Sequence, residues 1–218
     1  MSRRRRRALE EILIVAREGL PYIIIPILLA IVPALLGYWP VALLLFALAA
    51  FMAFFFRDPQ RTPPAEKDVI LSPADGRVTR VRAVDPADTQ SPMVVSIFLS
   101  PLDVHINRAP VAGKITDVTY TKGKFLIATN EEASLVNEQN ALTIEGEKVT
   151  LVCKQIAGVL ARRIVCWKRA GDEVALGERF GLIKFSSRTD LILPAGVEVL
   201  VREGMKVRGG ATIIGRVL

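Results

Sequence analysis

The chain has 218 residues, about half of them apolar, and a formal net charge of +7. That length holds one ordinary domain and a further piece, and the charge is local: Arg3 to Arg7 supply five positive charges, leaving +2 for everything else. Two cysteines without CxxC spacing and one histidine speak against a zinc site, so Cys153 and Cys166 are read as unpaired thiols in a reducing cytosol.

The further piece lies at the N-terminus. Residues 1–19 form a basic arm, and from Leu20 to Phe56 no residue is charged. The turn signal Gly37-Tyr38-Trp39-Pro40 splits this run into two arms and carries two interfacial aromatics. We expect a membrane hairpin of two short helices over 20–56. At ~1.5 Å per residue each arm spans about 25 Å, slightly short of a hydrocarbon core of about 30 Å, so a spanning and a re-entrant hairpin both fit. A cleaved signal peptide is disfavoured, since two apolar runs follow the basic start without a small-residue cleavage pattern. Arg3 to Arg7 precede the hairpin and Arg57 and Arg61 follow it, so both termini and the soluble domain are expected on the cytoplasmic side of the cell membrane. Beside such a hairpin the arginine run suits orientation and anionic lipid; no nucleic acid partner is expected.

After a proline-rich linker, 57–66, the pattern changes to short β-branched runs between turn signals. These are Gly76–Arg82, Met93–Leu99, Gly113–Tyr120, Ala141–Ile144, Val149–Cys153, Arg163–Trp167, Leu191–Leu193 and Val197–Val201. Residues 131–139 are the one expected short helix or irregular excursion. Gly171-x-x-Val174-x-x-Gly177 returns as Gly204-x-x-Val207-x-x-Gly210, with glycines that permit positive φ at the ends of tight turns and a valine packed inward. The fold class is therefore mainly β. The expected architecture is a compact sandwiched barrel of the barrel-sandwich-hybrid kind over 67–218, behind the α-helical hairpin.

Chemistry-bearing residues cluster in three places. His105 is the only imidazole available for acid/base work, and it stands in a polar segment just after an apolar strand, Ser100-Pro-Leu-Asp-Val-His105-Ile-Asn-Arg108. Asp75, in Ser72-Pro-Ala-Asp75-Gly76, reads as a turn residue; brought beside His105, it would orient the imidazole as the third member of a Ser-His-Asp set does. Ser186 and Ser187 are adjacent serines between two strand-like runs, Phe180–Phe185 and Leu191–Leu193.

Together with Lys122-Gly-Lys124-Phe and Asn137-Glu-Gln-Asn140, these segments resemble the short-form phosphatidylserine decarboxylases, with their archaetidylserine-directed relatives included. The resemblance covers nearly all of the soluble part, in the family's order. It implies a proenzyme that cleaves itself between 186 and 187. Ser187, deprotonated by His105 with Asp75 behind it, attacks the carbonyl of residue 186, and elimination then leaves a pyruvoyl group on the fragment 187–218. That group, with no metal, condenses with the serine amine of phosphatidylserine, takes up the electrons released with carbon dioxide, and yields phosphatidylethanolamine. His105 is the implied acid for reprotonation, and Arg108, Lys124 and Arg188 are candidate partners for phosphate or carboxylate. The two fragments stay associated, and a homodimer is compatible with the pattern.

Two positions depart from the family. Arg108 stands where longer forms carry a second histidine. Ser186 stands where the family has glycine, and its Cβ resists positive φ, which predicts slow self-cleavage or none. Two other readings are carried forward. A non-enzymatic, membrane-anchored β-domain adaptor explains the hairpin and the glycine repeat but not the Asp-His and Ser-Ser segments. A processing-dead, lipid-binding relative explains all of them.

Overall fold

The structure is a computed structural model that describes residues 15–88, 90–127, 132–159, 163–185 and 187–218. The arginine run at 3–7 and Ser186 lie outside the described residues. The chain divides into two compact units between Gln60 and Arg61.

In the first unit a 3-10 turn, Arg17–Gly19, leads into α1, Leu20–Leu35, and α2 follows over Trp39–Phe55. Each helix has a proline in its first turn, where the missing N–H has no intrahelical acceptor to lose. Gly37 joins the helices at φ +80°, a conformation glycine takes without a Cβ penalty. The packing is inverted relative to a water-soluble pair. Ala30, Ala42 and Ala49 are buried, whereas Leu28, Leu29, Val32, Leu43 and Leu44 are exposed. Small residues allow two backbones to approach, and bulky apolar side chains on the outside call for an apolar surrounding. Residues Arg17–Leu35 are long and apolar enough to cross a membrane; Trp39–Phe55 is shorter.

The second unit is antiparallel β. Its elements are β1 Val69–Leu71, β2 Gly76–Ala83, β3 Met93–Leu99, β4 Ile106–Arg108, β5 Gly113–Thr121, α3 Ala133–Val136, β6 Gln139–Glu145 and β7 Thr150–Ala157. Then come β8 Arg163–Cys166, β9 Glu173–Val174, β10 Arg179–Lys184, β11 Ser187–Leu193, β12 Val197–Val199, β13 Lys206–Val207 and β14 Ile213–Val217. Eight of the strands form one curled sheet in the order β13-β2-β3-β11-β7-β6-β5-β9; β4-β10-β8 and β1-β14-β12 form two three-stranded sheets.

The large sheet is close to two-fold symmetric about the line between β11 and β7. β2 and β5 each start at a glycine, Gly76 and Gly113, paired with the valine of a two-residue edge strand, Val207 and Val174. Each then carries a bulge at the same offset, between Val78 and Arg80 and between Ile115 and Asp117. Bulges add local twist, and the sheet curls until its two edges meet. A Cβ placed on Gly177 would lie 3.6 Å from the Gly210 Cα, and both glycines have positive φ, +73° and +70°. The Gly-x-x-Val-x-x-Gly repeat is thus the closure of the barrel. Its valines join the core formed with Val78, Ile97, Leu142, Ile144, Leu151, Leu191 and Ile214.

Most sequence-derived runs sit within a few residues of the strands. β7 ends four residues past its expected run, at Ala157 rather than Cys153, and β11 starts four residues before its run, at Ser187 rather than Leu191. Arg188 and Asp190 disguise β11 as a loop, and their mutual ion pair is what lets them lie buried in a strand.

Candidate active site

Ser187 is the first residue of β11, a central strand, and its register partners are Leu99 at the end of β3 and Ala157 at the end of β7. The strand before it, β10, belongs to a different sheet. The chain therefore passes from one sheet to another just after β10. Phe185 makes this turn at φ +64°, a left-handed conformation that costs an L-residue roughly 1–2 kcal/mol. The Ser187 side chain is fully buried, and its Oγ makes no hydrogen bond among the described residues. A buried hydroxyl left unbonded costs about 1–3 kcal/mol. A buried polar atom of this kind calls for an explanation beyond packing.

The segment from β3 to β4 makes the same crossing in the opposite direction. Leu99 pairs with Ser187, Ile106 pairs with Leu182, and the Ile183 N–H donates to the His105 carbonyl at 3.3 Å. The two antiparallel crossings thus lie side by side, His105 against β10 and Ser187 at the head of the next strand, with no hydrogen bond between the two side chains. The imidazole is buried, and its Nδ1 lies 3.0 Å from the Asp103 carbonyl oxygen. A carbonyl can only accept, so Nδ1 carries the proton and Nε2 is the basic nitrogen of the neutral ring. Asp103 is itself fixed, its Oδ2 accepting from the Ser100 N–H at 2.8 Å and hydroxyl at 2.7 Å.

The expected bond between Asp75 and His105 is not made. Asp75 Oδ2 accepts from Arg61 at 2.8 Å and Oδ1 from the Gly209 N–H at 2.8 Å, while the Asp103 carbonyl takes the His105 Nδ1 proton. The carboxylate nevertheless feels the site electrostatically. Burial raises its pKa above the ordinary value of 3.8, Arg61 and the Gly209 N–H oppose this, and the charges of Asp103 and Arg108 act more weakly.

A polar chain not foreseen from the sequence lies beside Ser187 on the core side of β11. Asn107 Nδ2 donates to Thr189 Oγ1 at 3.0 Å, Gln155 Nε2 to Asn107 Oδ1 at 2.9 Å, and Asn140 Nδ2 to Gln155 Oε1 at 3.1 Å. All four residues are buried, and together they tie β4 to β11, β7 and β6. The available signal was Gln155, a polar residue at an inward position of an otherwise apolar strand.

With this corner described, the comparisons with known proteins decide the family. The family model for phosphatidylserine decarboxylase matches residues 48–215. The chain belongs to the phosphatidylserine decarboxylase family. It is similar to proteins named phosphatidylserine decarboxylase proenzyme from several bacteria. In Symbiobacterium thermophilum the identity is 48% over 207 residues, 93% of this chain and 95% of the relative. In Carboxydothermus hydrogenoformans it is 44%, covering 96% and 99%, and in Solibacter usitatus 51%, covering 80% and 83%. This decarboxylase is accordingly an enzyme of phospholipid metabolism of the proenzyme type, and the adaptor reading falls away.

The three cations expected near the substrate occupy different settings in the decarboxylase. Arg188 is buried on the face of β11 opposite Ser187, its Nε 2.9 Å from Asp190 Oδ1 and its second guanidinium nitrogen 3.0 Å from Oδ2. Arg108 is buried at the barrel seam, where it donates to the Gly177 carbonyl at 3.2 Å and its Cδ would lie 2.7 Å from a Cβ on Gly210. Lys124 is exposed, in a segment bridged to Asn137 near the Ser187 end of the sheet. Among the described residues no three His, Cys, Asp or Glu side chains gather as a metal site. Cys153 is fully buried and desolvation holds its thiol far above the usual range.

Proposed function

We propose that this decarboxylase activates itself at Ser187 and then converts phosphatidylserine to phosphatidylethanolamine at the membrane surface. The observation that carries the reading is the buried, unbonded Ser187 hydroxyl at the head of a central strand, next to the left-handed turn at Phe185. His105 Nε2 takes the hydroxyl proton, since Nδ1 is committed to the Asp103 carbonyl. The Ser187 oxygen bonds to the carbonyl carbon of residue 186 as the 186–187 peptide bond breaks, which turns the amide into an ester. Loss of the Ser187 α-proton and of the ester oxygen from Cβ then frees residues 1–186 as a carboxylate and leaves dehydroalanine at 187. Water hydrolyses it, releasing ammonia.

Ser187 fits the pyruvoyl group that results, because its oxygen, which leaves from Cβ in the elimination, is held by no hydrogen bond among the described residues. When present, that group supplies an electron sink for decarboxylation, the role a cofactor plays elsewhere. The chain's own part is positional. β3 and β7 hold residue 187 from both sides, Thr189 and Asn107 keep the neighbouring core polar, and His105 returns a proton to the product. Lys124, exposed in the segment bridged to Asn137, meets the substrate's phosphate. Asp75, held by Arg61 and the Gly209 N–H, acts on the site through its charge rather than through a bond to His105. The hairpin tethers the chain to a bilayer.

Intact-mass measurement of the purified chain tests the reading. Two fragments, with residue 187 blocked by a pyruvoyl group, are expected; a single unchanged mass after long incubation would make this a processing-dead relative. Ser187→Ala abolishes cleavage. His105→Ala slows it by about 10²–10⁴-fold, the usual contribution of a general base. Ser186→Gly, which removes the Cβ at the attacked residue, accelerates it.

A further inference from the structure

Among the described residues, several segments around Ser187 present apolar side chains to the outside. The C-terminal ends of β3, β5 and β7 and the N-terminal ends of β6 and β11 share one edge of the large sheet, as their register requires. From this edge project Leu102, just past β3; Phe125 and Ile127, past β5; Leu135, on α3; and Val159, past β7, all exposed. Leu135 is 79% exposed and Ile127 63%. Loops that end in large, bare aliphatic groups are costly in water.

These side chains are held in place rather than adrift. Asn137, itself buried, accepts from the Leu126 N–H at 2.9 Å and donates to the Leu126 carbonyl at 2.9 Å and the Ala157 carbonyl at 2.7 Å. Ala157 is the register partner of Ser187. One side chain thus fastens the 124–127 segment to the strand end beside the nucleophile. Lys122, Lys124 and Arg163 are exposed on the same rim, with Lys184 half-buried next to Arg163. Glu132 and Glu138 lie there too, so the rim is mixed in charge, with its cations set among apolar tips.

We propose that this rim is a second membrane contact, distinct from the hairpin, which seats the mouth of the Ser187 site in the headgroup layer of an anionic bilayer. The inference rests on the lipid substrate of the preceding section. A diacyl lipid presents its headgroup at the interface and keeps its chains in hydrocarbon. An active site buried as deeply as Ser187 reaches that headgroup only if its surroundings enter the interface. Aliphatic tips enter the acyl boundary while lysine and arginine ends remain with the phosphates, a division of labour open to long basic side chains. Of the possible occupants, a lipid surface matches both the apolar tips and the cations, and it is where the substrate resides.

The test uses the full chain in lipid nanodiscs containing phosphatidylserine or phosphatidylglycerol, in a Cys166→Ser background; Cys153 is buried and does not label. A fluorophore is attached at Ile127→Cys, at Leu135→Cys or, as control, at Val84→Cys just past β2 at the opposite end of the sheet. Lipids brominated on the acyl chains are expected to quench the probes at 127 and 135 several-fold more than the probe at 84. Equal quenching at the three positions, or none at 127 and 135, overturns the proposal. Protection of 127 and 135 that depends on protein concentration and not on lipid also overturns it, and assigns the rim to a second copy. The readout needs no turnover. Quenching in a chain that does not decarboxylate would overturn only the proposed function, and decarboxylation without quenching would overturn only the docking.

Discussion

Among the described residues beside Ser187, Phe185 is the one held at positive φ, +64°. Glycine at this position would take the same φ without a Cβ penalty. Phe185→Gly in a non-cleaving Ser187→Ala background should therefore raise precursor stability by about 1 kcal/mol, read by thermal denaturation in detergent. If self-cleavage draws on that strain, the same substitution in the active chain slows fragment formation. Asp75 makes a second prediction. Its pKa is raised in the folded chain, first by burial, so the protonated form favours the fold. The contribution is fully present below the unfolded value of 3.8 and is lost as pH rises through the higher folded value. Asp75→Asn has no such proton to lose. The stability of the parent chain relative to this variant should fall with rising pH across that window, measured by chemical denaturation at a series of pH values. At this scale the sequence singled out His105 as the chain's one imidazole and Ser187 as half of a serine pair, and both side chains are buried. It could not assign the partners of Asp75, since Arg61 and Gly209 lie 14 and 134 positions away.

Among the elements, the chain of buried amides is the most sensitive joint. Removing the middle of it with Gln155→Leu strands the Asn107 carbonyl oxygen and one Asn140 N–H in the core, at a cost of about 1–3 kcal/mol for each unsatisfied group. Denaturant unfolding of the Ser187→Ala chain is the check, and a loss well under 1 kcal/mol would mean that the amides find other partners. The strands themselves were legible where β-branched residues alternate, as in β3 and β5. They were illegible where charge pairs or short edges carry the strand. Arg188 and Asp190 concealed the head of β11, and β9 and β13 have only two residues each. The glycine repeat was visible, but its meaning was not: it became the barrel seam only when Gly177 and Gly210 were seen to touch. No spacing rule reports that two turns more than thirty residues apart close on each other.

On the scale of the whole molecule, the proposed cut falls between two sheets and leaves every strand intact. Residues 187–218 contribute β11 to the middle of the large sheet, β13 to its edge, and β12 and β14 to the sheet with β1. The two fragments should co-elute in native size-exclusion chromatography and separate only in denaturant; separation under native conditions would contradict this. Composition marks a change from an uncharged apolar run to short β-branched runs, and the structure divides the chain into two compact units between Gln60 and Arg61. The curl of the sheet and the apolar rim came only with the register, which decides which loops become neighbours.

The place of Ser187 at the head of a central strand has one further consequence, for the order of the reaction in which the protein folds. A precursor gathers β11 between β3 and β7 as a unimolecular event, whatever its concentration. Once cut, the same strand must return from a separate chain. Refolding of the processed enzyme then becomes second-order, and its stability depends on protein concentration. Dilution that leaves the recovery of the Ser187→Ala precursor untouched should lower the recovery of the cleaved form, so the molecule is assembled easily once and repaired with difficulty thereafter.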